Sequence, residues 1–358
     1  MRYQKRGITD RLPVFNDSVL DRTTFPFSWT SGHFDDFTEW RTTAREKFTE
    51  CLMAPSPIAP FEPEITGEED RGTHTAKRAV FNISADSRVL GYICLPKGDG
   101  PFPAVLMLHD HGARFDIGKE KVIRPFNEPS PRHDSADEWS HELYGGRFIG
   151  DELAARGYIT FATDALFWSD RGGVPYTDMP ALSCNLQFLG MSLAGIIAHE
   201  DVRAAEFVAG LPDVDSARVS AMGLSMGSVR TWQVCALTDV ISASVSICWM
   251  TTLHGQLQPG INMTTGGYPF CHPGLHNLLD FPDLASIACP KPMLFYNGRR
   301  DGLFTVESTE EAYAKLHAVW DSQGAGDRLE TRLWDVPHEF TVEMQETAFD
   351  WLDGWMKG

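Results

Sequence analysis

Short apolar runs recur along this chain, and most are followed by a stretch in which apolar residues return at every third or fourth position. Residues 103–109, 159–163, 218–222, 243–249 and 292–298 read as buried strands, and 329–335 alternates as a half-exposed strand does. Helical spacing follows at 151–156, 185–209, 228–237, 309–323 and 345–356. Strands alternating with helices imply βαβ units and a parallel sheet. Upstream, 75–83 and 88–95 form an expected antiparallel pair joined by 84–87.

Residues 1–74 precede this core as an arm. Within 33–53, Phe34, Phe37, Trp40, Ala44, Phe48 and Cys51 or Leu52 recur at helical spacing, which predicts an amphipathic helix. A proline-rich connector, 54–63, and an acidic run to Asp70 follow. Phe37, Trp40 and Phe48 either pack on the core, the favoured reading, or bind a second subunit and make a homo-oligomer. In the 75–358 domain, 114–150 and 250–279 are too long for simple connections and are expected to be lid-like insertions. Their aromatic and hydrogen-bonding residues, among them His133, His141, His254, Tyr268, His272 and His276, suit either a polar, sugar-like ligand or a lid that merely packs.

Gly223-Leu224-Ser225-Met226-Gly227 lies between strand 218–222 and helix 228–237. In that setting a Gly-x-Ser-x-Gly turn strains the serine backbone, and its glycines let strand and helix approach closely. The Ser225 hydroxyl is then exposed at a helix N-terminus, where the Met226 amide and the helix dipole favour developing negative charge. A serine hydroxyl is a weak nucleophile at neutral pH and needs a histidine base oriented by an acid. Asp301 follows strand 292–298 and His338 follows strand 329–335, both at the sheet edge where catalytic groups of open α/β sheets gather. Asp301-Gly302 also reads as a solvated turn, and Asp335, three residues before His338, is the rival acid.

A second amide for an oxyanion is expected from the turn after strand 103–109. Ala113 is the assigned donor and Gly112 the fallback. His109-Asp110-His111 could be read as a metal cluster, but alternate strand residues face opposite ways and no His-Glu-x-x-His pattern accompanies it. No metal or cofactor is assigned. Substrate contacts are expected from His111, Arg114, Lys119 and Trp249. Lys119 and Arg124 either recognise a substrate carboxylate or pair with Glu120 and Glu128.

The segment 108–112, the elbow at 223–227, Asp280-Phe281-Pro282-Asp283-Leu284, Asp301 and His338 together resemble the dienelactone hydrolase and acetyl xylan esterase branch of the α/β-hydrolases. Gly118-Lys119-Glu120-Lys121 is similar to a bacterial subgroup assigned as acetyl xylan esterases. The resemblance spans roughly residues 75 to 357. It implies the α/β-hydrolase fold with an eight-stranded, mostly parallel sheet, and a triad of Ser225, Asp301 and His338. Dienelactone hydrolase has cysteine at the elbow where this chain has serine, which favours ordinary ester hydrolysis over lactone cleavage. The expected activity is that of a serine esterase on a small, acetyl-like ester of a carbohydrate or similar polar alcohol. A prolyl-oligopeptidase-like peptidase would share the triad but would carry a β-propeller for which the arm is too short. A non-catalytic binding protein would have no need of all three residues at one edge.

Composition narrows the partners. The 358 residues are 42% hydrophobic and 22% charged, as in soluble globular proteins. A net charge of −18 argues against nucleic acid or an anionic membrane as partner. The basic start, Met1-Arg2-Tyr3-Gln4-Lys5-Arg6, lacks the apolar core of a secretory signal. Seven scattered cysteines without Cys-x-x-Cys spacing suggest reduced thiols and a cytoplasmic setting.

Overall fold

The computed structural model describes residues 19–53, 57–257 and 267–358. The basic start, part of the connector and the middle of the second insertion therefore lie outside the described residues. The strands are β1 (Glu64–Asp70), β2 (His74–Ser84), β3 (Ser87–Pro96), β4 (Phe102–Leu108), β5 (Ile159–Thr163), β6 (Val214–Leu224), β7 (Ala243–Ile247), β8 (Met293–Gly298) and β9 (Leu329–Trp334). The helices used below are α1 (Phe37–Cys51), α2 (Ser130–Leu143), α3 (Ile149–Ala155), α4 (Met179–Phe188), α5 (Leu193–Ala209), α6 (Met226–Leu237), α7 (Leu253–Gln256), α8 (Phe281–Ser286), α9 (Val306–Ser322) and α10 (Val342–Met356).

All nine strands join one sheet in the order β1-β2-β3-β5-β4-β6-β7-β8-β9. The pairs from β1 through β3 to β5 are antiparallel, and every pair from β5 to β9 is parallel. Strands β5, β7 and β8 are buried along their whole length, which is why they read as unbroken apolar runs; helices cover both faces of such a sheet.

The structure differs from expectation in three places. Among the described residues the sheet has nine strands where eight were expected, because the acidic run at the end of the arm is β1 and pairs with β2. As an edge strand it is largely exposed, so it carries no apolar alternation, and its charges disfavour further edge pairing. The expected helix 185–209 is two helices, α4 and α5. Gly190 between them has φ +76°, and the Ser192 side chain caps α5 by accepting from the Gly195 amide at 2.9 Å. The first insertion is also not all loop, since it holds α2.

The arm helix docks on the chain's own core. Trp40, Ala44 and Phe48 are fully buried, the Trp40 indole donates to the Phe27 carbonyl at 2.7 Å, and Arg45 donates to the Ala236 carbonyl at the end of α6. All seven cysteines are free, and among the described residues no single helix is long and apolar enough to cross a membrane. Truncating a buried tryptophan leaves a cavity as well as losing transfer energy, so Trp40→Ala should destabilise the protein by about 3–5 kcal/mol in urea unfolding. A loss below about 1 kcal/mol would contradict this docking, because a surface substitution costs no more than that.

Candidate active site

Ser225 occupies the junction of β6 and α6 with φ 58° and ψ −121°, a strained conformation for a residue with a side chain. Its amide donates to the Ile247 carbonyl of β7 at 2.8 Å, which ties the turn to the neighbouring strand. The flanking glycines are sterically required. A Cβ on Gly223 would overlap the backbone of Gly227, and one on Gly227 would overlap the Leu108 carbonyl oxygen at the end of β4.

At the same sheet edge, His338 Nδ1 lies 2.6 Å from Asp301 Oδ2. The Asp301 side chain is wholly buried, and its other oxygen accepts the Leu303 amide at 2.9 Å. The carboxylate can only accept, so Nδ1 carries the proton and Nε2 is left basic. Asp335 pairs instead with Arg300 and is exposed, which removes the rival acid. The Cys248 thiol lies behind this pair, and burial, then the Asp301 charge, pushes its pKa up. Ser225 and His338 line one cleft of about 600 Å³ together with His111, Trp249, Tyr176 and Phe304.

The turn after β4 is fixed from behind. Asp110 is buried and accepts from the Tyr144 hydroxyl at 2.7 Å, the Trp139 indole at 3.1 Å and Lys121 Nζ at 3.3 Å. Lys121 also donates to the carbonyls of Asp110 and His111, each at 3.0 Å. Ala113 is not placed as expected: its amide donates to His111 Nδ1 at 3.0 Å and is already committed. Gly112, the fallback, lines the cleft. The bond to Ala113 assigns the His111 proton to Nε2. Burial first, and then the Lys121 charge, lower His111 to about 4 against a raising effect of Asp110. His109 uses Nδ1 on the Asp110 carbonyl and Nε2 to accept the Ala165 amide, so both its nitrogens are engaged within the fold.

Of the four expected substrate contacts, His111 and Trp249 face the cleft and the other two do not. Lys119 is fully buried and donates to Glu120, Asp164 and Asp170 at 2.8 to 2.9 Å. Burial would lower its pKa, but Asp164 and Glu120 outweigh that and hold it well above 10.5. It therefore pairs with Glu120, while Arg124 contributes its backbone, donating to Asp151. Arg114 is drawn away by Glu138 and the Ser135 carbonyl. In the second insertion His272 is buried against Gln233, and His276 donates from Nδ1 to the Leu279 carbonyl. The sequence did not reveal that Asp110 and Lys121 brace the turn after β4 from behind or that Tyr176 and Phe304 line the cleft. An acid directly after a buried strand was a signal for Asp110; Tyr176 lies in a segment without periodicity.

No family model matches the chain. It is 25% identical over 298 residues to the "Putative hydrolase YtaP" of Bacillus subtilis (strain 168), across 83% of this chain and 93% of that protein. Among solved structures, a "putative acetyl xylan esterase" from Bacteroides fragilis NCTC 9343 superposes with a TM-score of 0.70 at 18% identity, covering 89% of this chain and 81% of that one. A glucuronoyl esterase from Solibacter usitatus gives 0.64 at 13% identity over 91% and 93%, and an acetyl xylan esterase from Paenibacillus sp. R4 gives 0.57 at 16% identity over 90% and 95%. The chain has the α/β-hydrolase fold, with its candidate nucleophile at the turn from strand to helix.

The neutral His111 gives a pH dependence of known sign. Its folded pKa of about 4 lies below the ordinary 6.5, so unfolding takes up a proton between these values. The stabilisation is complete above 6.5 and is lost as pH falls toward 4. His111→Gln should therefore show a shallower fall of the unfolding midpoint across that window than the wild type, and parallel profiles would contradict the assignment.

Proposed function

We propose that this protein is a serine carboxylic-ester hydrolase in which Ser225 is the nucleophile, His338 the general base and Asp301 its orienting acid. The observation that carries the reading is the 2.6 Å bond from His338 to the buried Asp301, in a cleft that Ser225 also lines. The esterase names of the structural neighbours and the hydrolase name of the sequence relative support it.

Ser225 Oγ attacks the ester carbonyl carbon while its proton passes to His338 Nε2. The tetrahedral oxyanion is held by the Met226 amide at the start of α6 and, with Ala113 committed to His111, by the Gly112 amide. The carbon–oxygen bond to the alcohol then breaks, and the alcohol leaves with the proton from His338. Water, deprotonated by the same imidazole, attacks the acyl-enzyme; the carboxylic acid departs and Ser225 recovers its proton. Asp301 stays ionised throughout and stabilises the imidazolium.

The cleft bears Glu142, His111 and Tyr176 among its lining residues, a polar set suited to the hydroxyl groups of a sugar-like alcohol. The free thiols support a cytoplasmic setting. With p-nitrophenyl acetate, Ser225→Ala should abolish turnover, and Asp301→Asn should lower kcat by about 10⁴-fold through the wrong imidazole tautomer. Circular dichroism should be unchanged in both. Wild-type turnover in Ser225→Ala would overturn the nucleophile assignment.

A further inference from the structure

Beside the catalytic cleft lies a second cavity of about 370 Å³, whose walls include Trp249, Leu253, Phe270 and Phe281. It shares Trp249, Gly267 and Phe270 with the cleft that Ser225 and His338 line, so the two adjoin. Trp249 therefore belongs to the walls of both. Phe281 meets it edge to face at 4.8 Å and 89°, the arrangement aromatic rings prefer.

The cavity is built. Asp280 Oδ1 accepts the Leu253 amide at 2.7 Å and the Phe281 amide at 2.9 Å, so one carboxylate fixes the starts of α7 and α8, which form two of the walls. Its other oxygen takes Lys315 of α9 at 2.8 Å, and Asp283 closes the capping box on the Asp280 amide. This is the structural content of the Asp280–Leu284 motif. For scale, a cavity of about 150 Å³ lined by aliphatic and aromatic side chains accepts benzene. The space here exceeds twice that.

We propose that this cavity is a specificity pocket for an apolar group of aryl size carried on one side of the scissile ester. The inference rests on the serine-esterase reading and narrows its substrate class. An acetyl group would leave the pocket empty, so an acetyl-like substrate would fill it from its alcohol side, whereas an aryl-bearing acyl group fills it from the acid side. Burying the ring against Trp249 and Phe281 removes apolar surface from water and draws the ester toward Ser225.

The test compares ethyl acetate with ethyl 3-phenylpropanoate, which varies the acyl side, and with 3-phenylpropyl acetate, which varies the alcohol side, following acid release in a pH-stat. Cys271 lines the pocket from an exposed position, so Cys271→Trp narrows it without touching the core or the catalytic groups, and Cys271→Ser is the control. One of the two aryl esters should exceed ethyl acetate by about tenfold or more in kcat/KM, the scale on which apolar pockets discriminate. Cys271→Trp should erase that preference while leaving ethyl acetate turnover within about twofold, and Cys271→Ser should keep it; Leu257→Trp, at another partly exposed lining position, repeats the blockade should Cys271→Trp fold poorly. Turnover of ethyl acetate without preference for either aryl ester, or a preference that survives both tryptophan variants, would overturn the pocket. Absence of turnover on all three esters would overturn the esterase reading and the pocket with it.

Discussion

The candidate active-site edge of this protein depends on one backbone contact, the approach of α6 to the end of β4. Gly227 stands so close to the Leu108 carbonyl that no side chain fits between them. That approach brings the start of α6 against the end of β4 at Leu108 and His109, just before the turn that holds Gly112. It also forces Ser225 to positive φ, a conformation that the surrounding strands hold through the Ser225 amide on Ile247. From this turn Ser225 lines the cleft.

Around this contact the fold buries charge instead of avoiding it. Lys121 and Asp110 hold the turn after β4 from behind, Lys119 ties that turn's continuation to Asp164 and Asp170 near β5, and Arg230 of α6 makes a two-pronged bond to Asp201 of α5. A buried ion pair gives little net stability over an apolar substitute, but losing one partner leaves an uncompensated charge. Such pairs therefore fix geometry. The bonds run to the elements that carry Ser225 and His111 and leave both side chains to the cleft. Asp280 does the same for the apolar wall, joining α7, α8 and α9.

What was legible in the sequence was whatever follows a short-range rule. The interior parallel strands β5, β7 and β8 announced themselves as apolar runs because both their faces are covered, and Ser225, Asp301 and His338 were expected just past strand ends, where the structure has them. The edge strand β1 was not legible because an exposed edge imposes no alternation, and the break at Gly190 hid inside a pattern that kept its period on both sides. Side-chain roles in the insertions failed for a different reason. For Lys119 the sequence left open a pairing with the adjacent Glu120, which the structure has, but its further partner Asp164 lies 45 residues away, as Arg114's partner Glu138 lies 24 away, and no local pattern encodes those two pairings. Ala113 failed on a smaller scale, because a histidine two residues earlier took its amide.

The proposed chemistry requires Ser225 to be activated by the His338–Asp301 pair. The most direct measurement is mass spectrometry after incubation with a fluorophosphonate, which phosphonylates only an activated serine. One adduct per chain is expected, on the peptide that carries Ser225, with labelling slowed strongly in His338→Ala. No adduct, or an adduct on another serine while Ser225 stays unmodified, would contradict it.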